Sequence, residues 1–338
     1  MIEPRAALEL IVLFAASALI SAGLLKLLMP WLARYALAKP NARSSHRKPT
    51  PQGGGIAVLA AVFVTVGVAV LALHPFADRA QLIYVCASAV LLAAIGAIDD
   101  IKPMRVAPRL LLQTVAVIVM LAALPAALRV VPFLPWWIER ALLFLATLWF
   151  VNLTNFMDGI DWIIAAETVP ATAALTAFAL WGALPGDAAL VALALCGALI
   201  GFAPFNRPVA RVFLGDVGSL PIGLLLAWLL ILLAGRGHIA AALLLPLYYL
   251  ADATITLLRR LARGERITQA HRSHFYQRAL DNKFSVMQIV ARVFLLNIAL
   301  AALAFTTLLT PSHLMHAVAL LLGCTLVGTL LYRFTVKA

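Results

Sequence analysis

The sequence predicts an all-α polytopic integral membrane protein, on three observations. Of its 338 residues, 64% are hydrophobic and only 12% charged, against ~45–50% apolar and ~25% charged in water-soluble domains. Its mean hydropathy is +1.01. Its apolar residues gather into eleven stretches of roughly the ~20 residues that a helix needs to cross a bilayer core.

These candidate spans are 7–29, 56–73, 81–98, 109–128, 138–154, 163–182, 188–205, 217–234, 239–258, 287–309 and 313–332. The first follows Glu3, Arg5 and Glu9 and has no A-x-A-like cleavage site, so it reads as a retained span rather than a signal peptide. The fifth and eighth have polar motif residues crowding their ends. Eleven spans put the termini on opposite sides. If the 30–55 loop is cytoplasmic, 20 of the 26 Lys and Arg fall on that side and five on the other, with Arg292 inside a span. The positive-inside rule then sets the amino terminus outside and the carboxyl terminus in the cytoplasm. The chain reads as a single membrane domain, 1–338, with cytoplasmic loops at 30–55, 99–108, 152–162, 205–216 and 259–286. Outer connections such as 184–187 and 235–238 are short turns, and long loops between tight elements tend to carry function. Cys86, Cys196 and Cys324 lie in apolar runs without metal-ligand spacing, which argues against a disulfide framework or a zinc site.

The net charge of +12 is compatible with nucleic acid, anionic lipid, an anionic substrate or loop charges alone. Its division between the two sides makes much of it topology, and no nucleic-acid partner is expected. The acidic residues are more specific. Asp99 and Asp100 end the third span, Asp158 and Asp161 follow the fifth, and Asp216 precedes the eighth. Any one could be a solvated helix end. Five on one membrane face repel unless a cation or acid–base chemistry offsets them, and hard oxygen donors without soft partners suit Mg²⁺ or Mn²⁺.

Three further segments lie on that face. His46-Arg47-Lys48-Pro49-Thr50-Pro51-Gln52-Gly53-Gly54-Gly55 supplies cations and then glycines whose backbone can approach a ligand, although flexibility at a helix boundary explains such glycines equally well. Phe213-Leu214-Gly215-Asp216-Val217-Gly218-Ser219 brackets its Asp with glycines before a helix, which suits metal or phosphate binding. Ala270-His271-Arg272-Ser273-His274-Phe275-Tyr276-Gln277-Arg278 reads as an exposed polar loop or a phosphate clamp, the neighbouring anion-seeking groups favouring the clamp. Metal, carboxylates and dispersed cations together suit transfer of a phosphorylated group from a nucleotide to a lipid, a chemistry that requires mainly alignment and charge neutralisation.

With Asp99-Asp100, Asn152-Leu153-Thr154-Asn155-Phe156-Met157-Asp158-Gly159-Ile160-Asp161 and Lys48-Pro49-Thr50-Pro51, these segments resemble the polyprenyl-phosphate N-acetylhexosamine-1-phosphate transferases, glycosyltransferase family 4. The resemblance covers nearly the whole chain. The His-Arg-x-His form is closer to enzymes that initiate O-antigen or exopolysaccharide than to the triple-His peptidoglycan branch. It implies Mg²⁺-dependent transfer from a UDP-N-acetylhexosamine to undecaprenyl phosphate at the cytoplasmic face of the bacterial inner membrane, yielding the lipid diphosphate sugar and UMP. Membrane lipids are partners and a homodimer is compatible. Asp99 and Asp100 match the family's catalytic pair, and Asn155 and Asp216 its metal positions. Lys48, Asn152, Asp158, Asp161, His271, Arg272 and His274 match substrate-binding positions. One departure stands out: after Asp161 the family often has a glycine where this chain has Trp162, and the indole is expected to reshape the sugar or uracil pocket.

A single displacement at the β-phosphorus is the expected route, with a covalent phosphosugar on Asp99 or Asp100 as its competitor. The lipid phosphate is largely ionised already, its second pKa being about 6, so the Asp pair serves positioning as much as proton removal. A cation-coupled transporter would require carboxylates near mid-span, and only Asp252 and Glu167 lie about two turns inside span ends. A catalytically silent assembly scaffold is the other rival. The CDP-alcohol phosphotransferase pattern is absent. Trp136 and Trp137 suit an interfacial belt, Tyr248 and Tyr249 a helix contact and Met157 packing. Arg292 can snorkel, pair with Asp252 or meet a lipid phosphate.

Overall fold

The computed structural model describes residues 4–38, 49–73, 79–266 and 271–338. Lys48 lies outside them. The described residues form α1 (Pro4–Tyr35), α2 (Gly55–Val68), α3 (Arg79–Ile101), α4 (Val106–Ala122), α5 (Trp136–Met157), α6 (Ile163–Leu180), α7 (Gly186–Phe202), α8 (Asp216–Gly235), α9 (Ile239–Leu244), α10 (Leu247–Ala262), α11 (Phe275–Asp281), α12 (Val286–Leu309) and α13 (His313–Thr335). The fold is therefore all-α. The two-residue strands β1 (Leu37–Ala38) and β2 (Thr50–Pro51) pair antiparallel, Leu37 opposite Pro51.

Each predicted span falls on helix, but not all eleven are full-length crossings. Eight helices, α1, α2 with its extension to Ala72, α3, α5, α6, α8, α12 and α13, are long and apolar enough to span a membrane. The apolar helices α4 and α7 have 17 residues each. The 239–258 stretch is divided into α9 and α10 around Pro246, which lacks the N–H that a continuous helix would use. A single apolar run on the sequence is thus two helices in space.

Helix α8 is the axis of the bundle, with every residue from Val217 to Ala234 buried. Helices α3 and α5 pack along it. Burial on all sides explains why its sequence is apolar on every face. By contrast α1 and α13 leave Leu19, Leu27, Leu321 and Tyr332 exposed, which suits a lipid-facing perimeter. Helices meet closely where a side chain is missing: a Cβ on Gly96 of α3 would lie 2.3 Å from the Asp216 carbonyl, and one on Gly201 of α7 would lie 2.1 Å from the Ala18 carbonyl of α1. Such small-residue contacts let membrane helices approach backbone to backbone.

The alternating helix directions bring the connections after α1, α3, α5, α7 and α10 to one end. At the other end Glu139 accepts hydrogen bonds from Val131 N (3.1 Å), Val130 N and Arg129, folding the α4–α5 connection. Trp136 and Trp137 are exposed there, as an interfacial belt requires.

Candidate active site

The site is assembled around the start of α8. That helix begins at Asp216 with unpaired backbone N–H groups, as every helix does, and Asp100 at the end of α3 caps them. Its Oδ1 accepts from Asp216 N (2.9 Å) and its Oδ2 from Val217 N (3.1 Å), while Gln52 Nε2 also donates to Oδ1. The preceding Gly215 has φ 79°, and a Cβ on it would lie 2.5 Å from Asp100 Oδ2, so both its conformation and the space exclude a side chain.

The glycines at 53–55 serve the same junction. Gly54 N and Gly55 N donate to Phe213 O and Leu214 O, both at 2.9 Å, and Phe213 N returns a bond to Pro51 O (2.8 Å). A Cβ on Gly55 would lie 2.2 Å from Gly218 Cα. The close backbone approach expected toward a ligand is therefore made toward the Phe213–Gly218 segment.

Asp99 is equally engaged. It accepts from Met104 N (2.6 Å) and from Arg109 Nη1 (2.9 Å), and the same Nη1 lies 3.7 Å from Asp216 Oδ2. Asn155 Nδ2 donates to Asp216 Oδ1 (2.7 Å) and to Ser219 Oγ (2.9 Å), so the last turn of α5 meets the first turn of α8. One turn deeper, buried Asn152 donates to Gln113 Oε1 on α4 (2.9 Å) and to Leu148 O (2.8 Å). Asn152 ties α5 to α4, whereas Asn155 ties α5 to Asp216 and Ser219 of α8. Among the described residues no three His, Cys, Asp or Glu side chains are gathered as a ready-made metal site.

Asp158 differs from its neighbours. Half-buried at the end of α5, its carboxylate accepts no hydrogen bond from the described residues. Burial first, and then the carboxylates of Asp216, Asp100 and Asp161, push its pKa well above the usual carboxylate range. Asp161 is buried and accepts from Ala210 N (3.0 Å), fastening the α7–α8 connection.

The His-Arg-x-His segment closes the remaining side. Buried His274 places Nδ1 3.1 Å from Asp252 Oδ1. Fully buried Asp252 also accepts from Phe275 N (3.0 Å), Tyr276 N (3.2 Å) and Tyr248 Oη (3.3 Å), so α10 anchors the start of α11. Tyr276 Oη donates to Phe156 O (3.1 Å), and a Cβ on Gly159 would lie 2.0 Å from that hydroxyl. These contacts dock the segment on the Asn155–Asp158 end of α5. The His271 and His274 rings lie 4.9 Å apart, and Arg272 reaches Asp281 at 3.4 Å.

Comparison with known proteins matches residues 82–234 to the glycosyl transferase family 4 model. A Bacillus subtilis (strain 168) protein named probable undecaprenyl-phosphate N-acetylglucosaminyl 1-phosphate transferase is 25% identical over 287 residues, covering 81% of this chain and 78% of that protein. The Salmonella typhi undecaprenyl-phosphate alpha-N-acetylglucosaminyl 1-phosphate transferase is 26% identical, covering 87% and 84%. A phospho-N-acetylmuramoyl-pentapeptide-transferase of Leuconostoc citreum (strain KM20) is 30% identical over a shorter stretch, 52% of this chain and 59% of that protein. The stretch 82–234, which holds the α3, α5 and α8 parts of the site, is thus similar to glycosyl transferase family 4.

The departure at Trp162 from that family's pattern has a physical account. Trp162 has φ 65° at the start of α6, a left-handed conformation in which glycine carries no side-chain penalty. Its indole Nε1 donates to Ala203 O (2.6 Å) and its backbone N to Asn206 Oδ1 (2.7 Å). The indole therefore braces the α7–α8 connection. Sequence reasoning left three contributors out of the site: Arg109, Gln52 and Asp252. An Arg following Pro108 at the start of an apolar helix, and an Asp inside an apolar run, were the available signals. Asp252 pairs with His274 and not with Arg292, whose Nη1 donates to Gln288 O (2.9 Å).

Proposed function

We propose that this protein transfers N-acetylhexosamine 1-phosphate from a UDP-sugar to undecaprenyl phosphate, giving undecaprenyl-diphosphate-N-acetylhexosamine and UMP. It does so as a multi-pass protein of the bacterial inner membrane, with its site at the cytoplasmic face. The observation that carries this reading is the convergence, at one end of a membrane bundle, of Asp99, Asp100, Asn155, Asp158 and Asp216 with a His-Arg-x-His segment docked beside them. The relatives named as N-acetylglucosaminyl 1-phosphate transferases match this chain over most of their length, which favours N-acetylglucosamine 1-phosphate as the group transferred.

A phosphate oxygen of the lipid attacks the β-phosphorus of the UDP-sugar, and the bond from that phosphorus to the bridging oxygen breaks, so UMP leaves with that oxygen. Asp100 sets the position of Asp216 by capping α8, and Asp99 sets Arg109, whose guanidinium faces the incoming phosphates. His271, Arg272 and His274 grip the diphosphate and sugar. Asp158 carries the carboxylate left free to face the reacting groups. The acceptor phosphate is already ionised, which makes alignment the main task. The oxygen donors of Asp216 and Asn155 fit Mg²⁺, an ion usually held by one or two carboxylates together with substrate phosphates; Mn²⁺ is the alternative. When bound, the cation offsets charge developing on the departing phosphate.

The test measures UMP release by the purified protein from a panel of UDP-N-acetylhexosamines, with and without undecaprenyl phosphate. Release is expected only with the lipid acceptor, is lost on chelation with EDTA, and falls at least a hundredfold in Asp216→Ala. UMP release independent of the acceptor, or no release from any of these donors, would overturn the assignment.

A further inference from the structure

Away from the site, the described residues form a second cluster of basic side chains where α11, α12 and α13 meet. Its centre is Phe284, buried and edge-on to buried Phe334 with ring centroids 5.9 Å apart. Arg292 of α12 holds its Cζ 5.0 Å from the Phe284 ring centroid, and Arg333 of α13 holds its Cζ 5.8 Å from the same centroid. The platform is tied in place: Asn282 Nδ2 donates to Phe334 O (2.8 Å), Phe284 N to Ala279 O (3.0 Å), and Ala338 N to Asn282 O (3.0 Å).

Neither guanidinium pairs with a carboxylate among the described residues. Beyond Asp252 the sequence holds two acidic side chains, Glu265 and Asp281. Glu265 pairs with Arg260 and Arg263, and Asp281 with Arg272. Two guanidiniums held against one ring, with no carboxylate paired to either among the described residues, concentrate positive charge that an external anion offsets.

The surroundings identify the anion's carrier. Arg292 lies in the second turn of α12 and Arg333 in the last turn of α13. Immediately along the same helices Leu295, Ile298, Leu326 and Tyr332 are exposed, forming an apolar wall on two membrane-length helices. A phosphate at the arginines with acyl chains along that wall is the shape of a membrane phospholipid.

We propose that Arg292 and Arg333, braced by Phe284, form a binding site for the phosphate of an anionic glycerophospholipid of the surrounding leaflet. The site is independent of the proposed transferase reaction, and its test has its own readout. The full-length protein is placed in nanodiscs of phosphatidylcholine alone, of phosphatidylcholine with 30% phosphatidylglycerol, and of phosphatidylcholine with undecaprenyl phosphate. Retained lipid and oligomeric state are measured by native mass spectrometry. Wild type is expected to retain phosphatidylglycerol at least threefold over its bulk ratio, and R292Q/R333Q to lose that enrichment. Should the double glutamine variant fail to fold, R292K/R333K keeps the charge but removes the guanidinium fork, and its enrichment is expected to fall at least twofold. Enrichment unchanged in the variants would overturn the proposal. So would retention of undecaprenyl phosphate without phosphatidylglycerol, or a lipid-free dimer that covers both arginines.

Discussion

Asp158 and Asp100 stand in the same patch of negative charge under opposite conditions. Asp100 has three donors on its carboxylate, whereas Asp158 has none among the described residues and sits near three other carboxylates. The raised pKa of Asp158 has a stability consequence. Between the ordinary carboxylate range and its raised native value, the folded protein holds a proton that the unfolded chain has released, so stability falls as pH rises. The cation-free protein is expected to lose thermal stability from pH 5 to pH 8, and Asp158→Asn to flatten that slope; an unchanged slope in the variant, read by thermal denaturation in detergent, would contradict the account. At this scale the sequence disclosed which residues gather but not how each is employed. Asp161 and Asn152 carried substrate expectations and are buried in contacts with the α7–α8 connection and α4. Hydrogen-bond partners 39 and 49 residues away leave no local signature to read.

Among the elements, α10 and α11 show how a short helix is placed by a buried charge. Asp252 accepts two backbone N–H groups at the start of α11 and faces His274 Nδ1. Asp252→Asn keeps the size but replaces a charged acceptor with a neutral amide, one oxygen becoming a donor, and a buried polar group left poorly paired costs ~1–3 kcal/mol. Transfer activity is expected to fall about tenfold to a hundredfold, with the fall non-additive to that of His274→Gln; additive losses would show that the two side chains act separately. The helices themselves were legible because membrane spans must be long and apolar. The break at Pro246 was not, because apolar side chains fill α9 and α10 alike. The glycines of residues 53–55 were readable as a place of close approach, but their partner was not. A missing side chain records that something comes near and not what it is, and here the near surface is the segment leading into α8.

Across the whole molecule, the fold places five connections at one end of a bundle whose central helix α8 begins in the site and is buried along its length. That common end was foreseeable from the alternation of spans and the uneven division of Lys and Arg, while the packing order that brings α3, α5 and α8 together arises only in three dimensions. The central claim is that these segments join a lipid phosphate to a sugar phosphate in one displacement. The most direct test follows phosphorus, using UDP-N-acetylglucosamine labelled with ³²P at the β-phosphate together with undecaprenyl phosphate. The label is expected to appear wholly in the lipid diphosphate product, with unlabelled UMP released in equal amount. Label recovered as UDP, or as a stable adduct on the protein when lipid is omitted, would contradict it.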